Sequence, residues 1–117
     1  MILFISTTNR EKIIIALKKN NKVIRQIEEP AEKTQSEKLL FVIDKILKQN
    51  KNKLIDLKAI EVENQGNSFT ALRIGILTAN ALGYALNIPV YETGQTLKTK
   101  RFKPLVPKYD SEPKIGR

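Results

Sequence analysis

The chain contains neither cysteine nor histidine. Disulfides, thiol nucleophiles and Cys/His zinc sites are therefore excluded. So is the side chain that most often serves as a general base near neutral pH. Any catalysis would have to rest on carboxylates, lysine, tyrosine or hydroxyls. The absence of cysteine suits a reducing compartment. Long hydrophobic runs are also missing. Met1-Ile2-Leu3-Phe4-Ile5-Ser6 has no basic leader and is too short for a signal peptide. The longest apolar region, Ile74 to Leu86, is broken by Asn80 and followed by Asn87 and Pro89, so it does not read as a membrane span. The expectation is a cytoplasmic protein with no membrane partner.

What is present is a globular composition. Hydrophobic residues make up 41% and charged residues 28% of 117, which is too apolar for a disordered chain. One domain of this size buries about two-thirds of the surface that its unfolded chain exposes. The formal net charge is +9. A basic surface can collect nucleic acid or anionic membrane without specificity, but lysines can also simply solvate helix and turn faces. With aromatics at 6%, few stand among the lysines, and charge alone does not choose between the two readings.

The apolar runs Ile2–Ile5 and Ile13–Leu17 are rich in β-branched residues and too short for helices, which predicts strands covered on both faces. The asparagines of Lys19-Asn20-Asn21-Lys22 suit a tight hairpin turn. Val23–Glu28 is more polar, as an outer strand should be, and Pro30 ends it. Thr34-Gln35-Ser36-Glu37 has capping-box spacing. The helix it would start carries Leu39, Leu40, Ile43, Ile46 and Leu47 on one face and stops near Asn50. Leu54–Leu57 reads as a packed turn and Lys58–Glu63 as a strand. Asn67 or Ser68 can cap a second helix from Phe69 to Leu86, closed by Asn87 before Ile88-Pro89. Pro89–Glu92 is a last short strand. From Thr93 onward Pro104, Pro107 and Pro113 mingle with many Lys and Arg, which predicts an extended or partly ordered basic tail. The order strand, strand, strand, helix, strand, helix, strand implies an α/β fold with a mixed five-stranded sheet of the ribonuclease H-like type.

In the second helix Ala71, Gly75, Ala79 and Gly83 form a stripe of small side chains that lets another backbone come close. Leu72, Ile76 and Leu86 lie beside it, and Ile74, Leu77, Ala81 and Ala85 widen the apolar arc beyond the ~100° that one sheet covers. Two surfaces are therefore covered, the sheet and something else. That second body is either the first helix of the same chain or a docking protein. The candidate interface residues are Leu40, Ile43, Leu47, Ala71, Leu72, Gly75, Ile76 and Ala79, with the face toward the sheet and the face toward a partner left open. No catalytic, cofactor or metal residue is assigned. The place after Ile5, where related folds offer a metal-binding carboxylate, holds Ser6, a poor magnesium ligand. Glu61, Glu63 and Asp44 read as solvated. Ser6-Thr7-Thr8 lacks the glycines of a phosphate loop and reads as a capped turn. Gln65-Gly66-Asn67-Ser68, before a helix N-terminus, is a weak anion signal.

Asn67-Ser68-Phe69-Thr70-Ala71-Leu72-Arg73-Ile74-Gly75 resembles the G-S-F-T-G-L-R-I-G segment of the TsaB/YeaZ family. Thr78-Ala79-Asn80-Ala81-Leu82 and Asn87-Ile88-Pro89 continue it, like that family's T-A-x-G-L and G-I-P. Gln35-Ser36-Glu37-Lys38-Leu39-Leu40 is similar to its H-S-E-x-L-L, and Ile2–Thr8 to its I-L-A-I-D-T-S. The resemblance covers about Ile2 to Tyr91. It implies half of an actin-like ATPase fold, residues 1–93 as a lobe and 94–117 as the basic tail, without the family's second lobe. It further implies a non-catalytic subunit, with no cofactor, that supports a TsaD-like enzyme in tRNA threonylcarbamoyladenosine modification. The two helices would pack against the equivalent helices of that enzyme, or of a second copy, in a bundle. Transfer RNA would be met indirectly or through the tail. Ser6 for Asp, Gln35 for His and Gln65-Gly66-Asn67 for G-P-G weaken any nucleotide site and leave helix docking untouched. The alternatives are a nucleic-acid-binding module, with Lys98, Lys100, Arg101 and Lys103 on phosphates, and a residual nucleotidase.

Overall fold

The two apolar runs become neighbouring strands. β1 (Ile2–Ser6) pairs antiparallel with β2 (Lys12–Lys19), and β2 pairs antiparallel with β3 (Lys22–Pro30). β4 (Ala59–Val62) lies parallel to β1 on its other side, with β5 (Val90–Glu92) parallel beyond it, so the sheet order is β3-β2-β1-β4-β5. Two helices, α1 (Gln35–Gln49) and α2 (Phe69–Leu86), fill the connections after β3 and β4. The computed structural model describes residues 1–8, 12–30, 35–65 and 69–108, without the side chains of residues 35–37, 69 and 70. The cap residues expected at Thr34, Asn67 and Ser68 lie outside the described residues.

Local chemistry accounts for the turns. Asn20 and Asn21 both take positive φ, 55° and 63°, as a two-residue hairpin of the right twist requires. Lys51 and Asn87, also at positive φ, close α1 and α2. The Asn52 N–H donates to the Leu47 carbonyl at 2.8 Å and the Ile88 N–H to the Gly83 carbonyl at 3.0 Å, which satisfies carbonyls that a bare helix end would leave orphaned. Leu54–Asp56 forms a single 3-10 turn, but it is not the packed turn expected: Leu54 and Ile55 are exposed and only Leu57 after it is buried. β4 starts one residue later than expected and ends one earlier, and β5 starts after Pro89, which has no N–H for the ladder.

Pleating sorts the strand residues. Leu3 faces Leu17 and Ile60, and Ile5 faces Ile15 and Val62, so these side chains share one side of the sheet. Both helices pack there. Leu39, Val42, Ile43, Ile46 and Leu47 of α1 join Leu72, Ile76 and Ala79 of α2 in a single buried cluster with the strand residues. Each fully buried Leu or Ile contributes about 1.5–3 kcal/mol relative to exposure.

The opposite side corrects the expectation of strands covered on both faces. Ile2, Phe4 and Ile14 are only half-buried there. The Lys18 ammonium lies 4.8 Å from the centre of the Phe4 ring and 3.0 Å from a Glu61 carboxylate oxygen. The Tyr91 hydroxyl donates to the same carboxylate at 3.4 Å. A cation with a long apolar stem thus shields the ring in place of a helix. Burial and the neighbouring Glu61 carboxylate push the Tyr91 phenol up to about 12. The folded state then holds its phenolic proton more tightly than the unfolded chain. The resulting stabilisation is complete below pH ~10 and is lost as pH rises from 10 to 12. Titration of tyrosine absorbance near 295 nm is expected to reveal one late phenol that disappears in Tyr91→Phe. A spectrum with all tyrosines ionising together near pH 10 would count against this arrangement.

Candidate docking face

The small-residue stripe of α2 points into the chain. Ala71 and Ala79 are buried, as are Gly75 and Gly83. What comes close is the chain's own and, rather than the expected second backbone, mostly side chains. A methyl group at Gly75 would collide with the Thr7 hydroxyl, and one at Gly83 with Val90 and with Phe102, whose ring carbon would lie at 2.8 Å. Thr7, just after β1, donates its hydroxyl to the Ala71 carbonyl at 2.6 Å and is itself buried. Every other candidate interface residue except Leu40 is likewise consumed internally: Ile43, Leu47, Leu72 and Ile76 are at most 3% exposed. The small-residue half of the arc faces this chain's own sheet and loops, while Leu77, Ala81 and Ala85 on the other half are exposed.

Some apolar surface nevertheless remains outside, among charged residues such as Lys38, Asp44, Lys48 and Arg73. Leu40 is 57% and Phe41 63% exposed on α1, and Leu77 is 57% exposed on α2, with Ile74 half-buried beside it. Both helices lie on the same side of the sheet and contact one another. Phe41 was the residue that pattern reading missed, because a single apolar residue at the edge of a helical face does not alter the period.

A second missed feature fixes the segment after β5. Residues 93–108 have no helix or strand, yet they fold back along α2 and β5. Asn80 donates to the Leu105 carbonyl at 2.9 Å and accepts from the Leu105 N–H at 3.0 Å. Asn64, 3% exposed, donates to the Val106 carbonyl at 2.9 Å and to Glu92 at 2.8 Å, and accepts from the Lys108 N–H at 2.8 Å. Each amide thus binds a backbone in two places, as a neighbouring strand would. Phe102 and Leu105 pack against the core. The segment expected to be extended or partly ordered is docked as far as Lys108, and the remainder lies outside the described residues. Asn64→Ala is expected to cost about 2 kcal/mol by leaving these groups unpaired. It should also speed tryptic cleavage after Lys98, Lys100 and Arg101. Digestion at the wild-type rate would argue against the clamp.

The strand end where a catalytic carboxylate was sought is occupied by hydroxyls. Ser6 donates to Glu63 at 2.7 Å, with the Thr8 hydroxyl 3.5 Å from the same oxygen. Glu61 is committed to Lys18, and Asp44 pairs with Lys48 on the surface of α1. Among the described residues no three acidic side chains converge. No helix among them is long and apolar enough to cross a membrane.

Residues 20–95 match the family model described as TsaD, tRNA N6-adenosine threonylcarbamoyltransferase. YeaZ from Pseudomonas aeruginosa superposes with a TM-score of 0.71 at 24% identity, over 79% of this chain and 42% of that one. A second crystal structure, an uncharacterized protein with similarity to peptidase YEAZ from Pseudomonas aeruginosa, gives 0.72 at 24% identity over the same shares. The chain thus has the mixed-sheet, ribonuclease H-like fold of these proteins and spans about two-fifths of their length. No curated protein matches it.

Proposed function

The chain belongs to the TsaD family, tRNA N6-adenosine threonylcarbamoyltransferase, and from that membership we propose that it is a non-catalytic subunit that docks on a TsaD-type enzyme and supports tRNA threonylcarbamoyladenosine modification in the cytoplasm. The observation that carries this reading is the apolar surface left on the two helices, Leu40 and Phe41 on α1 and Leu77 on α2. Large exposed side chains of this kind, on helices already packed on one sheet, are what a helical bundle with another protein uses. A TsaD-type enzyme offers equivalent helices, and a second copy of this chain offers the same ones. The non-catalytic part of the proposal draws on the side chains at the end of β1. Ser6 and Thr8 occupy Glu63 with their own hydroxyls, so that carboxylate is tied into the fold.

Reconstitution tests the function. A TsaD-type enzyme supplied with its remaining partners and tRNA is expected to gain threonylcarbamoylation activity when this chain is added. The chain alone is expected to give none. Modification that proceeds at the same rate with and without the chain would remove the proposal, and turnover by the isolated chain would remove its non-catalytic part.

A further inference from the structure

The loop that Asn64 and Asn80 hold against α2 carries Lys98, Lys100, Arg101 and Lys103 within six residues. Elsewhere five lysines pair with carboxylates: Lys12 with Glu28, Lys18 with Glu61, Lys45 with Glu29, Lys48 with Asp44 and Lys108 with Glu92. None of the four loop cations has a carboxylate partner among the described residues. Their positions are not those of a free tail, since the backbone on both sides is anchored. Phe102 sits between Arg101 and Lys103 and is buried enough to pack on the core. Its ring meets Tyr84 edge-on, with centroids 5.9 Å apart and planes at 79°. Tyr84 itself is 75% exposed, so a rigidly backed aromatic face lies in the open beside the cations. Lys98 and Lys103 also rim a cavity of about 460 Å³ between the loop and β5. That volume lies within the ~300–1,000 Å³ range of ligand pockets. Its one carboxylate, Glu92, is already engaged by Asn64 and Lys108.

We propose that this loop, together with Tyr84, binds an unpaired stretch of RNA. Cations along an extended backbone neutralise phosphates, and an exposed aromatic ring stacks a base without regard to its identity. The loop offers no projecting helix or two-stranded ribbon, which reading duplex DNA in the major groove would require. Of the apolar residues in this segment Phe102 and Leu105 pack on the core while Leu97 and Val106 are exposed, so a lipid surface is tested directly by the vesicles below. The site stands on its own geometry. Only the choice of RNA over single-stranded DNA rests on the tRNA-modification reading above, and the test needs no enzyme.

Fluorescence anisotropy of the full chain with labelled oligo(U), oligo(dT), a DNA duplex and anionic phosphatidylserine vesicles as competitor decides the matter. With four phosphates neutralised on a single strand, affinity for oligo(U) is expected to fall about 50-fold between 50 and 200 mM salt. Reversing Lys98, Arg101 and Lys103 to glutamate should weaken binding by more than about tenfold, and Tyr84→Ala by about tenfold. The exposed hairpin pair Lys19→Ala and Lys22→Ala should leave it unchanged, which separates the loop from general positive charge. The proposal is overturned if the loop variants bind as the wild type does, if the duplex binds as tightly as oligo(U), or if vesicles are bound and oligo(U) is not. Tighter binding of oligo(dT) than of oligo(U) would overturn the choice of RNA while leaving the docking proposal untouched.

Discussion

Gly75→Val is expected to destabilise the protein by about 2–4 kcal/mol, lowering Tm by roughly 10 °C. The reason is local and specific. Even the first added carbon at Gly75 lands on the Thr7 hydroxyl, with the Thr7 Cβ and Cγ2 atoms at 3.5 Å behind it. Thr7 is 1% exposed and its hydroxyl is bonded to the Ala71 carbonyl, so it cannot swing away without losing that bond. The strain therefore has to go into the backbone, by moving α2 away from the end of β1. A double-mutant cycle isolates the contact. Gly75→Ala alone sets a clash against its gain in helix propensity of about 1 kcal/mol. In a Thr7→Ala background the clash is gone and only the gain remains. A coupling of at least ~1 kcal/mol between the two positions is expected from urea unfolding. Strict additivity would mean that α2 and β1 are not in contact as described.

Charge introduced on the outer helix face should have a comparably large effect on association and a small one on folding. Phe41→Glu combined with Leu77→Glu is expected to weaken docking to a TsaD-type enzyme at least about 100-fold, since buried aromatic and aliphatic anchors each carry 2 kcal/mol or more at such interfaces. Both residues are more than half exposed in the single chain, so the fold should lose little. The small stripe gives the opposite pattern: Gly75 substitutions act on stability and reach association only through it. The two outcomes together separate the inner and outer halves of the apolar arc, which periodicity had merged.

That merging shows where sequence reading stops. The continuous apolar runs Ile2–Ile5 and Ile13–Leu17, the Asn20-Asn21 turn and the more polar Val23–Glu28 were enough to place a hairpin and an edge strand. All of these signals act between near neighbours. The helical phase of α1 was readable for the same reason. Which half of α2 meets its own sheet was not, because the deciding contacts join Gly75 to Thr7 and Gly83 to Phe102, far apart in the chain. Small residues correctly announced a close approach but could not say what approaches. The segment after Thr93 was harder still. Its anchors are two apolar side chains, Phe102 and Leu105, too widely spaced to make a period. Its other hold is the amides of Asn64 and Asn80, each of which reads in sequence as a turn or a polar interruption. The strand-end hydroxyls were legible as an absence of acid, but their engagement with Glu63 depended on the parallel pairing of β1 with β4.

Light scattering of the chain mixed with a TsaD-type enzyme at about 10 μM each, a concentration at which micromolar affinity suffices, puts the outer helix face to the most direct test. A single peak with the summed mass of one copy of each is the predicted result, with the Phe41→Glu, Leu77→Glu variant returning both components to their separate masses. Two components that keep their own masses with the wild-type chain, or a complex that survives both glutamates, would contradict it.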